Sequence, residues 1–159
     1  MTTTASFERA EIEAAIARYL EIRMAAIAGT MPWTALSEVF TEDCVFIDSV
    51  WGKHVGIDAV AQFLHDSMVA LGDWDFPHLG QSIDGDRAYL HWANRLPGAQ
   101  PDGSPWDCPG VSVLVYAGGG KFSYEEDLYS ESQLAQVMAQ SGWVPPADFI
   151  MPPAERTWG

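Results

Sequence analysis

An α+β fold is predicted by three features of the chain. Helical periodicity is confined to residues before 72 and to one segment after 130. Between residues 76 and 129 the pattern is that of successive strands, and two of the turns joining them, at 84–86 and 118–120, are short and contain glycine. Helices grouped at the start, followed by an antiparallel meander, place helices on one face of a sheet.

The elements follow in order. Ile12, Ile16, Tyr19, Leu20, Arg23 and Ile27 recur at helical spacing, with Ser6 as a candidate N-cap and Gly29 as a stop. Pro32 opens a short second helix carrying Leu36, Val39 and Phe40 on one side, and residues 41–43 break it. Residues 44–48 read as a strand, and residues 52–56 as a short partner ending in glycine. Val60, Leu64, Met68 and Leu71 restore the helical period over residues 57–71, which Gly72 ends. Strands are then predicted at 76–83, 87–96, 111–116 and 121–129, with a long polar loop at 97–107. Ser130 caps a final helix running to about residue 140. Residues 143–159, rich in proline and aromatics, form a tail expected to lie extended on its own or a partner subunit.

The 159 residues suit one domain, here 1–142, followed by that tail. With 48 % hydrophobic and 19 % charged residues the composition is globular, and a net charge of −14 argues against nucleic-acid or anionic-membrane surfaces. The opening Met1-Thr-Thr-Thr-Ala-Ser6 has neither a basic leader nor an apolar core. A secretory signal is therefore not expected, and a cytoplasmic protein with Cys44 and Cys108 reduced is. No histidine or cysteine pattern has metal-ligand spacing, so neither a metal nor a cofactor is expected. Gly118-Gly-Gly120 lacks the helix and Lys-Ser/Thr of a phosphate loop, and no serine-hydrolase elbow is present.

Four segments in sequence carry a resemblance: Phe40-Thr-Glu-Asp-Cys-Val-Phe-Ile-Asp48 with Gly52; Gly56-Ile-Asp-Ala-Val-Ala-Gln-Phe-Leu64; Asp84-Gly-Asp-Arg-Ala-Tyr-Leu-His-Trp92; and Tyr116-Ala-Gly-Gly-Gly-Lys-Phe-Ser-Tyr-Glu-Glu-Asp-Leu-Tyr129. Together they resemble SnoaL-like proteins, of the superfamily of ketosteroid isomerase and nuclear transport factor 2, over about residues 7–138. The resemblance implies a cone-shaped α+β barrel (a cystatin-like roll), with a strongly curved mixed or antiparallel sheet wrapped around helices and an apolar cavity. It also implies a homodimer through the outer sheet face.

On the last strand Ser123, Glu125, Asp127 and Tyr129 share one face, while Phe122, Tyr124 and Glu126 share the other. The resemblance makes the face of Glu125, Asp127 and Tyr129 the concave one. Carboxylates aimed into an apolar cone have raised pKa values, which suits acid/base chemistry. By the same resemblance Asp48 matches the proton-abstracting aspartate of ketosteroid isomerase and Tyr19 its oxyanion-binding tyrosine, while Ser112 stands where that enzyme has a protonated aspartate. Against limonene epoxide hydrolase, Asp127 is retained, but Trp92 and Asn94 replace the arginine and first aspartate, Phe46 a tyrosine and Asp48 an asparagine; epoxide hydrolysis is disfavoured. Either His91 or Trp92 faces inward, since one residue of register exchanges them. His54, beside Asp48 across the first hairpin, is a candidate for a His/Asp dyad. Among the tryptophans Trp51, Trp74, Trp92 and Trp106 fall where they could wall a pocket for flat apolar ligands.

The expectation is thus a cofactor-free acid/base isomerase, dehydratase or cyclase acting on a hydrophobic cyclic polyketide- or steroid-like molecule. Asp48 and Asp127 transfer protons, and Tyr19 with His91 or Asn94 donates to the oxyanion. Trp92, Phe46, Glu125, Tyr129, Ser112, Trp51 and His54 contact the substrate. The alternative is a non-catalytic cone that binds an apolar ligand or a protein chain.

Overall fold

The structure, a computed structural model, describes residues 6–159. The leader on which the signal-peptide expectation rests, residues 1–5, lies outside the described residues. Helix α1 (Arg9–Ile27) buries Ile12, Ile16, Tyr19, Ile22 and Arg23 along one stripe. Its N-cap is Glu8, which makes no side-chain bond, rather than Ser6; the Glu8 carbonyl accepts the first helical N–H groups. The short second helix is a 3-10 segment (Trp33–Val39) with Leu36 and Val39 buried. Strand β1 (Phe40–Asp48) begins at Phe40, four residues before the expected start. Residues 41–43 are read as a break because they are polar, yet the parallel pairing of Phe40 with Phe122 holds them in the sheet. Strand β2 (Gly52–Val55) and helix α2 (Ile57–Met68) fall close to their expected positions.

The meander follows as β3 (His78–Asp84), β4 (Arg87–Ala99), β5 (Pro105–Gly118) and β6 (Lys121–Tyr129). The expected 97–107 loop is mostly strand, because β4 and β5 stay paired as far as Ala99 and Pro105 and leave only residues 100–104 as a turn. A bidentate pair between the cross-strand neighbours Arg95 and Asp107, both contacts 2.8 Å, ties that extension. The sheet order is β2-β1-β6-β5-β4-β3, antiparallel except where β1 meets β6. It is a curved mixed sheet around helices, the cone expected of the chain.

One irregularity positions the site. Tyr116 pairs with Phe122 but Val115 with Tyr124, so Ser123 is an extra residue, a β-bulge. Strict alternation would turn Phe122 outward; the bulge lets both Phe122 and Glu125 point into the core, each fully buried. Phe122 packs on Tyr19 and Tyr116, a burial worth about 2–3 kcal/mol. Helix α3 (Glu131–Ser141) starts at Ser130, whose Oγ accepts from Gln133 N as expected. It buries no residue fully but lays Leu134 and Met138 over the open end of the cone, beside Trp74, Phe76 and Trp143. Residues 143–159 return to the β1–β2 turn. There the Thr157 carbonyl accepts from Lys53 N at 2.7 Å, and the backbone passes so close to Gly52 that a Cβ would meet Arg156 Cβ at 2.8 Å.

Candidate functional site

The sheet, α1, α2, α3 and the tail enclose a cavity of about 490 Å³. Most of its wall is apolar: Phe46, Trp51, Phe63, Leu64, Trp74, Phe76 and Trp92 among others. Its polar groups gather where β1, β6, β5 and β4 meet α1.

At the centre stand Glu125 and Asp127, on the same face of β6. Tyr19 Oη, on α1, donates to Glu125 Oε1 at 2.7 Å. Trp92 Nε1 donates to Ser112 Oγ at 2.9 Å, and Ser112 Oγ donates to Asp127 Oδ1 at 2.5 Å. Glu125 Oε2 is buried without a donor from any described residue, and the Asp127 carboxyl lies within its reach. A proton on Asp127, donated to Glu125, satisfies both. Burial pushes the Glu125 carboxyl up from the ordinary 4.5 to about 7, although Tyr19, Asp127, Ser112 and Arg23 favour its ionised form. Burial, then the charge of Glu125 and of Asp48, drives the Asp127 carboxyl well above its ordinary value. Both carboxyls are thus pushed toward their protonated forms, and two acids this close titrate as a pair rather than singly.

Asp48 lies beside this pair on β1, opposite Asp127 in the parallel register. The two aspartates are thus neighbours on one wall and do not face each other across the cavity. Asp48 is buried, which raises its pKa, but its Oδ1 accepts from Val50 N and Trp51 N, both at 2.8 Å. Tyr129 Oη donates to the same carboxylate at 2.9 and 3.1 Å. Asp48 therefore fixes the β1–β2 turn and holds Tyr129, with less free basicity than a lone pocket carboxylate.

Phe46, Trp51, Trp92, Asn94, Ser112, Asp127 and Tyr129 all line the cavity, as does Tyr19. Glu125 sits behind that lining. The Tyr19 hydroxyl is committed to Glu125 and is not a free oxyanion donor. Asn94 is free enough for that role, its Nδ2 reaching only the Cys108 carbonyl at 3.4 Å. His91 does not belong here. Alternation on β4 puts Trp92 inside and leaves His91 exposed on the outer face, opposite Val111. His54 does not pair with Asp48 either: the hairpin register sets Gly52 opposite Asp48 and His54 opposite Phe46. The His54 ring stacks on Phe63 at 4.4 Å, and burial lowers its pKa. Trp106 packs with Trp74 and Leu96 below the cavity rather than lining it.

Two contributions escape the sequence reading. Arg23, one helical turn beyond Tyr19, lines the cavity and is buried. Its only signal in sequence is its place on an otherwise apolar stripe. Pro145, Phe149, Met151 and Pro152 of the tail also line the cavity, so the extended tail lies over its mouth with much of its length exposed. Among the described residues no group of His, Cys, Asp and Glu is arranged to hold a metal ion, both cysteines are free and buried, and no helix is long and apolar enough to cross a membrane.

A family model described as a SnoaL-like domain matches residues 16–124. No protein of curated function matches the sequence. Among solved structures the chain is similar to one described as a putative SnoaL-like polyketide cyclase from Jannaschia sp. CCS1, with 17 % identity, a TM-score of 0.64, and 91 % of this chain and 99 % of that one covered. A hypothetical protein with a ketosteroid isomerase-like fold from Catenulispora acidiphila, solved with trimethylamine, has 24 % identity, a TM-score of 0.59, and coverage of 80 % and 97 %. TerC, co-crystallised with polyporic acid, has 18 % identity, a TM-score of 0.58, and coverage of 81 % and 98 %. At these identities the likeness is one of fold.

Proposed function

The chain belongs to the family of SnoaL-like domains, and on that footing we propose that it is an acid/base enzyme moving a proton on a flat, hydrophobic cyclic ketone or related polyketide-like molecule. The observation that carries this is the buried, interacting pair of acids Glu125 and Asp127 at the polar end of an aromatic-walled cavity, both with raised pKa. Transfer of the shared proton along their contact from Asp127 to Glu125 leaves Asp127 facing the ligand as a carboxylate. It takes a proton from the carbon next to a carbonyl; the C–H electron pair forms the new C=C bond, and the carbonyl π pair moves to oxygen. Returning the proton to another atom of the same molecule completes an isomerisation with no co-reactant. Tyr19 and Ser112 are positioning residues: one holds Glu125, and the other holds Asp127 and is itself held by Trp92. Asp48 keeps Tyr129 against the ligand chamber. The cavity's size and aromatic lining suit a bicyclic or larger ring system. Polyporic acid bound to a neighbour of the same fold is in keeping with that class.

The test is proton exchange. In deuterium oxide at pH 7.5 the protein is expected to accelerate exchange at the carbons flanking the carbonyl of 2-tetralone, followed by NMR, and Asp127→Asn is expected to lose about 10²- to 10⁴-fold of that rate. Exchange equal in both proteins would leave a binding cone without proton-transfer chemistry.

A further inference from the structure

Arg23 is 7 % exposed, and its side chain makes no hydrogen bond or ion pair with any described residue. A guanidinium carries five N–H donors and no acceptor, and burying it unpaired is costly. What holds it in place is visible. Its Cζ lies 5.6 Å from the centre of the Trp92 ring, a cation–π contact, and its charge acts on Glu125 and Tyr19 from the next turn of α1. None of these takes its hydrogens. They point into a chamber whose other walls near it are aromatic rings, the amide of Asn94 and the Ser112–Asp127 pair. No carboxylate among the described residues lies within ion-pair distance of it; the neighbouring acids accept from Tyr19 and Ser112 instead.

We infer that Arg23 is the ligand's anchor: it takes an anionic oxygen, a carboxylate or an enolate, carried on a flat apolar ring, and so restricts the substrates to acidic or enolisable ring compounds. This rests on the reading of the cavity as a small-molecule site and deepens it. The role that the Tyr19 hydroxyl cannot fill, since it is spent on Glu125, passes to the residue four positions further along the same helix face. When Asp127 removes a proton, the charge that develops on the carbonyl oxygen meets a preorganised cation instead of water. Trp92 serves both groups, its ring under Arg23 and its Nε1 on Ser112, and thereby sets the distance between anchor and acid.

The experiment is calorimetric titration with two probes of one shape, 2-naphthoate and 2-naphthamide, at pH 7.5. The unmodified protein is expected to bind the carboxylate at least 10-fold more tightly than the amide. Arg23→Met should abolish that preference and leave amide binding within about 3-fold; Arg23→Lys, which keeps the charge without the planar fork, should retain part of it. Equal binding of both probes by the unmodified protein would overturn the assignment and leave the cavity reading intact, and this arm needs no variant to fold. An unchanged preference in Arg23→Met would overturn it too. Failure of both probes to bind the unmodified protein would overturn the small-molecule reading of the cavity and this inference with it.

Discussion

The two ends of the cavity are built by different rules. At the closed end Tyr19, Asp48, Trp92, Ser112 and Tyr129 are each held by hydrogen bonds on strands β1, β4, β5 and β6 and on α1, while one Glu125 oxygen and the Arg23 guanidinium have no partner among the described residues. At the mouth, α3 and the tail lay Leu134, Met138 and Trp143 over Trp74 and Phe76, and Phe149 packs on Trp143. There the chain is held by a few bonds at its far end: Arg156 donates to the Val50 carbonyl, Trp158 Nε1 to the Asp48 carbonyl at 3.2 Å, and Lys53 Nζ to the Gly159 carbonyl at 2.8 Å. A rigid, hydrogen-bonded wall fixes proton positions, while a mostly apolar closure with few directional bonds excludes water and adapts to ligand shape. The difference separates chemistry from capture.

That separation can be broken deliberately. The largest effect is expected from Asp127→Asn, which should lower proton-exchange turnover by about 10²- to 10⁴-fold while the dissociation constant of 2-naphthamide moves less than about 3-fold. A parallel loss of binding would merge the two ends into one function.

Next comes Glu125→Gln, read as stability against pH. Because the fold raises Glu125 from 4.5 to about 7, its protonated form is the favoured one. Its stabilisation is fully present below about pH 4.5 and is lost as pH rises through about 7. The glutamine has no proton to lose, so urea melts of the variant should show a flatter decline between pH 5 and 8, by on the order of 2–3 kcal/mol. Parallel pH profiles for the two proteins would contradict the assignment of a raised Glu125.

Gly110→Ala tests the rigidity of the wall. A Cβ there would stand 2.7 Å from the Trp92 ring, and moving that ring should cost about 1–3 kcal/mol in thermal unfolding. It should also loosen Ser112, seen as a shifted Trp92 indole N–H signal. An unshifted signal would show a wall softer than described. The smallest effect belongs to the mouth: Phe149→Ala should weaken 2-naphthamide by a few-fold and leave exchange from the bound complex unchanged. A fall in that exchange rate would place the tail in the chemistry.

Much of this was readable from residue order. The α1 stripe, the Asp84–Arg87 hairpin, Ser130 at its helix start and the shared face of Glu125, Asp127 and Tyr129 follow from local period and turn chemistry, while the resemblance made that face the inner one. What was not readable depends on pairing between distant strands. The bulge at Ser123 turns Phe122 inward against simple alternation, and the β4 register decides between His91 and Trp92. The β1–β2 register separates His54 from Asp48. Tyr19 illustrates a further limit: its place on the helix was evident, but only the fold shows that Glu125, 106 residues later, takes its hydroxyl. Arg23 and the tail were hidden for a related reason, since an arginine on an apolar stripe or a proline-rich end acquires meaning only from what it faces.

The most direct measurement is a carbon-13 NMR titration of the carboxyl groups between pH 3 and 9, with Glu125→Gln and Asp127→Asn used for assignment. A proton-sharing pair is expected to give two carboxyl signals moving together, well above the range of the surface carboxylates, and each substitution should collapse the coupled steps into one. Glu125 and Asp127 both titrating near pH 4, independently of one another, would contradict it.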